Sequence, residues 1–347
     1  MKKDHETFMK RAIQLAKNGR GSTVPNPMVG CVIVRNSTII GEGWHYKSGV
    51  SHAEVHAIQS VKKPTLLTKA TLYITLEPCT YHGSPPCIDL ILQKKIPRVV
   101  IGIQDPNPQV NGLGIHQLKE AGIEVIESVL KVACYTLNKR FFILHEKRRP
   151  YVLLKWAQSC DGFIDIPRDQ SNPKQPFWFS NIYARQLVHK WRTEEDSVLS
   201  GIQTILNNNP QLSTRDWYGK KPICVILDRQ LSIPESYSIY NNNPLTLVFT
   251  EKKKSSQKNV TFIPISFDQN LLKNLLDQLY KRDIQSVIIE DEKQILEGFI
   301  QEELWDEARI FIAEIQLSKG LKTPEIKGKI RSKTKIDTDT LLILTPD

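Results

Sequence analysis

Two short stretches hold residue types that could do chemistry. SHAEVHAIQS (51–60) sets His52 and His56 four positions apart with Glu54 between them. LEPCTYHGSPPC (76–87) sets Cys79 and Cys87 around His82, with two prolines before the second cysteine. The cysteines could be a disulfide, a pair of core thiols or two metal ligands. Six cysteines (31, 79, 87, 134, 160 and 224) are scattered without framework spacing, which favours metal binding over a disulfide in a reducing compartment.

The histidine stretch has three readings. The first is a capping box, with Ser51 as N-cap and Glu54 three residues on. The second is the histidine pair of zinc metalloproteases, but there Glu directly follows the first His, whereas here the order is H-A-E-V-H. The third joins both stretches: H-x-E, then P-C and a second Cys, is the pattern of zinc-dependent base deaminases. In that reading His52, Cys79 and Cys87 bind zinc and leave its fourth tetrahedral position open, as a catalytic site requires. Glu54 takes a proton from the attacking water and delivers it to the leaving amine, with capping as a secondary role. Deaminases of nucleic-acid bases carry P-C-x-x-C; here seven residues separate the thiols, which suits a pocket for a small substrate.

These residues need elements to converge them. His52 should open a helix, Cys79 follow the strand TLYITLE (71–77), and Cys87 open the helix CIDLILQKK (87–95) behind prolines suited to a first turn. Strands VGCVIV (29–34), IIGEGWH (39–45), RVVIGI (98–103) and IEVIES alternate with helices at 4–19, at 115–122 and from about 132, predicting an open, largely parallel α/β sheet. In such sheets strand ends and following helix starts meet in one crevice. HEKRRP (145–150) marks a boundary between residues 1–147 and 148–347, as 347 residues exceed one usual core. Beyond it the alternation resumes, with strands at 151–159, 222–228, 245–250, 286–290 and 308–315 and helices at 181–192, 270–282 and 293–303.

Net charge is +10, with 19 Lys and Arg against 11 Asp and Glu up to residue 147 and 28 against 26 beyond. A basic first half suits a phosphorylated small substrate. The cations do not interleave with aromatics as an RNA-binding surface requires, so nucleic acid is not expected. No apolar run is long enough for a membrane span, and MKKDHETFMKRAIQLAKNG reads as an amphipathic helix, so a cytoplasmic location is expected.

TVPNPMVGCVIV (23–34), GEGWH (41–45), HAEVHA (52–57), LEPC…PPC (76–87) and QDPNPQVNGLG (104–114) together resemble the bifunctional riboflavin biosynthesis family RibD. That family joins a cytidine-deaminase-like α/β/α domain to a reductase of dihydrofolate-reductase-like α/β fold. The match covers residues 1–145 almost continuously and, more loosely, 150–347 through KWAQSCDG (155–162), FWFSNIYAR (177–185), GIQTILNNNPQLSTR (201–215) and VIIE (287–290). The resemblance implies hydrolytic removal of the 2-amino group from 2,5-diamino-6-(5-phosphoribosylamino)pyrimidin-4-one, then NADPH-dependent reduction of the ribosyl chain to ribityl. It implies zinc at His52, Cys79 and Cys87, Glu54 as proton shuttle, and Asn26, His45, His82, Asp105 and Asn107 around the deaminase substrate. In the reductase it implies Ala157, Trp178, Thr204 and Asn208 at NADPH, and Arg192, Arg215 and Glu290 at the substrate. A homo-oligomer is the expected state.

Three departures from the family pattern stand out. EDEK (290–293) replaces Glu-Gly-Gly, setting Asp291 and Glu292 where glycine admits the cofactor phosphates. Asn208 replaces an Asp, and the cysteine loop is one residue shorter and has Ser84 in place of a cation. A deaminase with an impaired reductase half therefore competes with the bifunctional reading. An RNA-editing deaminase and a structural zinc protein are the remaining alternatives; the last needs His56 or His82 as a fourth ligand.

Overall fold

The apolar residues of GCVIVR and TLYI alternate between two faces, so each strand must be covered on both sides. In the computed structural model both strands lie inside a sheet between helical layers. The structure describes residues 2–80, 86–166, 179–210, 212, 214–241, 245–257, 259–290 and 293–347, without the side chains of Lys2, Lys3, Asn208 and Asn241. The chain divides into two units, Met1–Arg148 and Arg149–Asp347.

The first unit runs α1 (Lys2–Ala16), β1 (Gly30–Arg35), β2 (Thr38–Trp44), α2 (Ala53–Gln59), β3 (Thr71–Ile74), α3 (Cys87–Gln93), β4 (Arg98–Ile101), α4 (Leu113–Glu120), β5 (Glu124–Ile126), α5 (Lys131–Leu137) and α6 (Lys139–Lys147). Its sheet has the order β2-β1-β3-β4-β5. β1 is antiparallel to both neighbours while β3, β4 and β5 are parallel, so the sheet is mixed rather than largely parallel. The reason is local: only Asn36 and Ser37, both at positive φ, join β1 to β2, and so short a turn makes a hairpin. Cys31, Ile33, Leu72, Ile74, Val99 and Ile101 pack with α2, α3 and α4; Val32, Val34, Tyr73 and Val100 pack with α1, α5 and α6. This is the expected α/β/α layering.

The second unit contains β6 (Tyr151–Gln158), β7 (Phe163–Asp165), α7 (Ile182–Glu194), β8 (Ser197–Gly201), α8 (Ile202–Asn208), β9 (Ile223–Leu227), α9 (Ser238–Asn241), β10 (Thr246–Thr250) and β11 (Val260–Pro264). It continues with α10 (Leu271–Tyr280), β12 (Ser286–Ile289), α11 (Lys293–Gln301), β13 (Glu307–Ile312), β14 (Leu321–Lys322), β15 (Lys329–Ile336) and β16 (Asp339–Thr345). A nine-stranded sheet has the order β11-β10-β9-β8-β12-β6-β13-β16-β15, parallel from β11 to β13 and antiparallel beyond. β7 and β14 pair separately.

Several strands had no apolar run to announce them. β8 (SVLSG) is wholly buried with two serines in it, and the Ser197 hydroxyl donates to the Ser286 carbonyl at 2.8 Å. β15 (KIRSKTKI) is mostly exposed and rich in lysine, a blunted sheet edge paired with β16. No described helix is long and apolar enough to cross a membrane.

Candidate functional site

In the first unit three helix starts follow three strand ends. His52 immediately precedes α2, with extended backbone, and Cys87 is the first residue of α3. Gly43 of β2 makes the first placement possible. A Cβ there would stand 2.6 Å from the Ala53 carbonyl oxygen, so only glycine lets α2 lie this close. His52 Nδ1 lies 3.2 Å from Cys87 Sγ and 3.4 Å from Cys79 Sγ, and the three donor atoms fall within 4.8 Å of one another. Two ligands on one tetrahedral zinc would hold N and S about 3.6 Å apart, so the donor set and its spacing fit that ion. Cys79 is driven toward thiolate, first by its hydrogen bond with Cys87, while the same contact pushes Cys87 upward.

The capping-box expectation is corrected. The N-cap is His52, not Ser51, and its side chain makes no capping bond. Starting one residue later leaves Glu54 inside the first turn, buried beside Cys87. Burial, aided by the Cys79 charge, pushes its carboxyl up to about 7. His56 is outside the donor cluster and stacks on Tyr46 with ring centroids 4.0 Å apart, which sets aside the histidine-pair reading.

His45 is buried, and burial lowers its pKa, keeping the imidazole neutral. Its Nδ1 is 3.3 Å from the Ser51 carbonyl oxygen and its Nε2 is 3.2 Å from Asn26 Nδ2. One tautomer satisfies both: Nδ1–H donates to Ser51, and Nε2 accepts from the Asn26 amide. Asn26, Ser51, His52 and Cys87 share the wall of a cavity of about 940 Å³. Asp105 and Asn107 lie in the loop after β4. Asp105 is buried, its carboxyl pushed up to about 7 by that burial, and it accepts from the Asn107 N–H at 2.8 Å. His82 lies outside the described residues.

In the second unit two of the expected residues, Arg192 and Glu290, are brought together. Glu290 follows β12 and is held by Arg192 of α7 through two bonds, Nε to Oε1 at 2.9 Å and Nη2 to Oε2 at 2.6 Å. The two are paired with each other, because a buried carboxylate needs such a fork. Burial alone would raise the Glu290 carboxyl, but Arg192 and Lys155 outweigh it and hold it near about 2. Lys155 Nζ stands 3.8 Å from Glu290 Oε2 and was missed in the sequence, although one lysine inside the apolar YVLLKWAQ was its signal. Arg215 is exposed, Ala157 is half-buried on β6, and Thr204 is half-buried in α8. Among the described residues the buried Ser200 hydroxyl near the end of β8 has no hydrogen-bond partner, an orphaned group that fits a cofactor edge. Trp178, Asp291 and Glu292 lie outside the described residues, as does the Asn208 side chain.

Comparison with known proteins assigns both units. Residues 2–103 match the cytidine and deoxycytidylate deaminase zinc-binding region, and residues 150–334 match the RibD C-terminal domain. Riboflavin biosynthesis protein RibD of Actinobacillus pleuropneumoniae is 36% identical over 96% of this chain and 93% of its own. That of Escherichia coli is 33% identical over 89% of this chain and 87% of its own. The solved diaminohydroxyphosphoribosylaminopyrimidine deaminase/5-amino-6-(5-phosphoribosylamino)uracil reductase of Thermotoga maritima superposes with a TM-score of 0.88 at 36% identity, covering 100% of this chain and 99% of its own. Acinetobacter baumannii RibD gives 0.89 at 33% identity, with both chains fully covered. With a zinc-binding deaminase domain followed by a reductase domain, the chain belongs to the RibD family of riboflavin biosynthesis proteins.

Proposed function

We propose that this chain carries out the two reactions for which its Thermotoga maritima relative is named. It deaminates diaminohydroxyphosphoribosylaminopyrimidine and then reduces 5-amino-6-(5-phosphoribosylamino)uracil with NADPH. The convergence of His52, Cys79 and Cys87 beside a buried Glu54 carries the reading. His52, Cys79 and Cys87 hold zinc, which when bound supplies Lewis-acid charge that makes water a nucleophile near neutral pH. The Glu54 carboxylate takes a proton from the attacking water and returns it to the departing amino nitrogen. Asn26, His45, Asp105 and Asn107 line the polar edge of the pyrimidine. His82 belongs with them on the family pattern alone.

In the second unit Ala157 and Thr204 receive NADPH, the hydride source, with Trp178 and Asn208 assigned from the family pattern. Glu290, fixed by Arg192, accepts from the sugar hydroxyls, and the exposed Arg215 guanidinium takes the phosphate. The partner is a small phosphorylated pyrimidine, and the chain acts as a homo-oligomer in the cytoplasm; light scattering of the purified protein tests the oligomeric state. The experiment for function incubates the protein, zinc and the diamino substrate with and without NADPH and identifies the products by mass. A deaminated product alone without NADPH, and a ribityl product with it, is expected. Deaminated, unreduced product under both conditions would restrict the chain to the first step.

A further inference from the structure

We propose that Glu77 is the positioning residue of the deaminase pocket, a buried carboxylate that holds closed the loop carrying Asp105 and Asn107 and so sets substrate affinity without touching substrate. The assignment rests on the deaminase reading above. Glu77 is buried beyond β3, two residues before Cys79, and its own N–H donates to the Ile103 carbonyl at 2.9 Å. Its Oε2 accepts from both ends of one loop, the N–H of Asp105 at 3.1 Å and that of Gly112 at 3.0 Å. Its Oε1 accepts from the N–H groups of Gly114 at 2.9 Å and Ile115 at 3.2 Å, in the first turn of α4.

That turn has no cap of its own, since its N-cap is Gly112 in the left-handed region at φ 81°. A distant carboxylate therefore does the work of a cap, favoured by the positive end of the helix. Within the loop the two pocket residues add turns of their own: Asp105 accepts from the Asn107 N–H at 2.8 Å, and Asn107 Oδ1 accepts from the Gln109 N–H at 3.1 Å. One side chain thus joins the strand end that presents a metal ligand to the loop that presents two substrate contacts.

Steady-state ammonia release by the zinc-loaded full chain tests this. Glu77→Gln replaces one acceptor oxygen with an amide group that faces two N–H donors, so two of the four bonds are lost. KM for the diamino substrate should rise about tenfold, with kcat within about twofold of wild type and zinc content unchanged. In an Asn107→Ala background the same substitution should change KM by less than about twofold, because its effect travels through that loop. An unchanged KM, a loss confined to kcat, or full additivity with Asn107→Ala overturns the proposal. If Glu77→Gln fails to fold or loses zinc, Gly112→Ala decides, since it strains the same loop end away from the metal ligands. A KM rise with full zinc content is expected there, and a wild-type KM overturns the assignment. Absence of ammonia release by the wild-type protein overturns the deaminase reading itself and this assignment with it.

Discussion

Glu54 shows how much a single position depends on where a helix begins. Had α2 started at Ser51, its carboxylate would have been spent on capping; with His52 as N-cap it is buried and turned to Cys87. Glu54→Gln keeps the shape and removes the proton carrier, so ammonia release should fall by about 10²- to 10⁴-fold. Zinc content, measured by atomic absorption, should be unchanged, and a parallel loss of zinc would contradict the division between ligand and shuttle. Cys87→Ser should instead lose the ion and the activity together, since a hydroxyl is a poor substitute for a thiolate.

At the level of elements, close approach and ion pairing hold the sites in place. Gly43→Ala puts a methyl 2.6 Å from the Ala53 carbonyl oxygen. α2, with His52 and Glu54, must then lift from β2. Thermal unfolding should show about 1–3 kcal/mol of destabilisation, and zinc should be released at lower chelator concentration. Between α7 and β12, removing Arg192 leaves Glu290 buried and unpaired, and Arg192→Ala should cost about 3–5 kcal/mol in denaturant unfolding.

The same ion pair predicts a pH dependence. Glu290 is held near about 2, below its ordinary 4.5, so its contribution is complete above pH 4.5 and is lost as pH falls toward 2. Over that window roughly 3 kcal/mol should disappear. Unfolding of Glu290→Gln should show a correspondingly shallower acid slope, and equal slopes would refute the pairing as its source.

Across the whole molecule the metal site belongs to one unit and the Arg192–Glu290 site to the other. Chelation should abolish deamination while leaving NADPH-dependent reduction of an already deaminated substrate, followed as loss of absorbance at the nicotinamide band. Re-adding zinc should restore ammonia release. Loss of both activities on chelation would mean that the ion supports more than its own site.

Residue types with specific chemistry were legible from sequence because spacing alone restricts them. A histidine, a glutamate two residues on and two cysteines flanking helix starts have few joint explanations, and the family pattern supplied the further residues proposed for the pocket. The strands with alternating or continuous apolar runs were legible for the same reason. What sequence left open is what long-range pairing settles. The serine-bearing β8 owes its strand state to β9 and β12, and the second antiparallel pairing of β1 is with β3, all distant in the chain; the lysine-rich edge β15 is a strand through its hairpin with β16. Arg192 and Glu290 were both named as site residues, yet no local pattern says that they bind each other 98 positions apart. Glu77 reads in sequence as one more charge beside a cysteine. Only the folded loop, returning four backbone N–H groups to its two oxygens, turns that charge into a clamp, because a buried carboxylate must find donors wherever the chain can bring them.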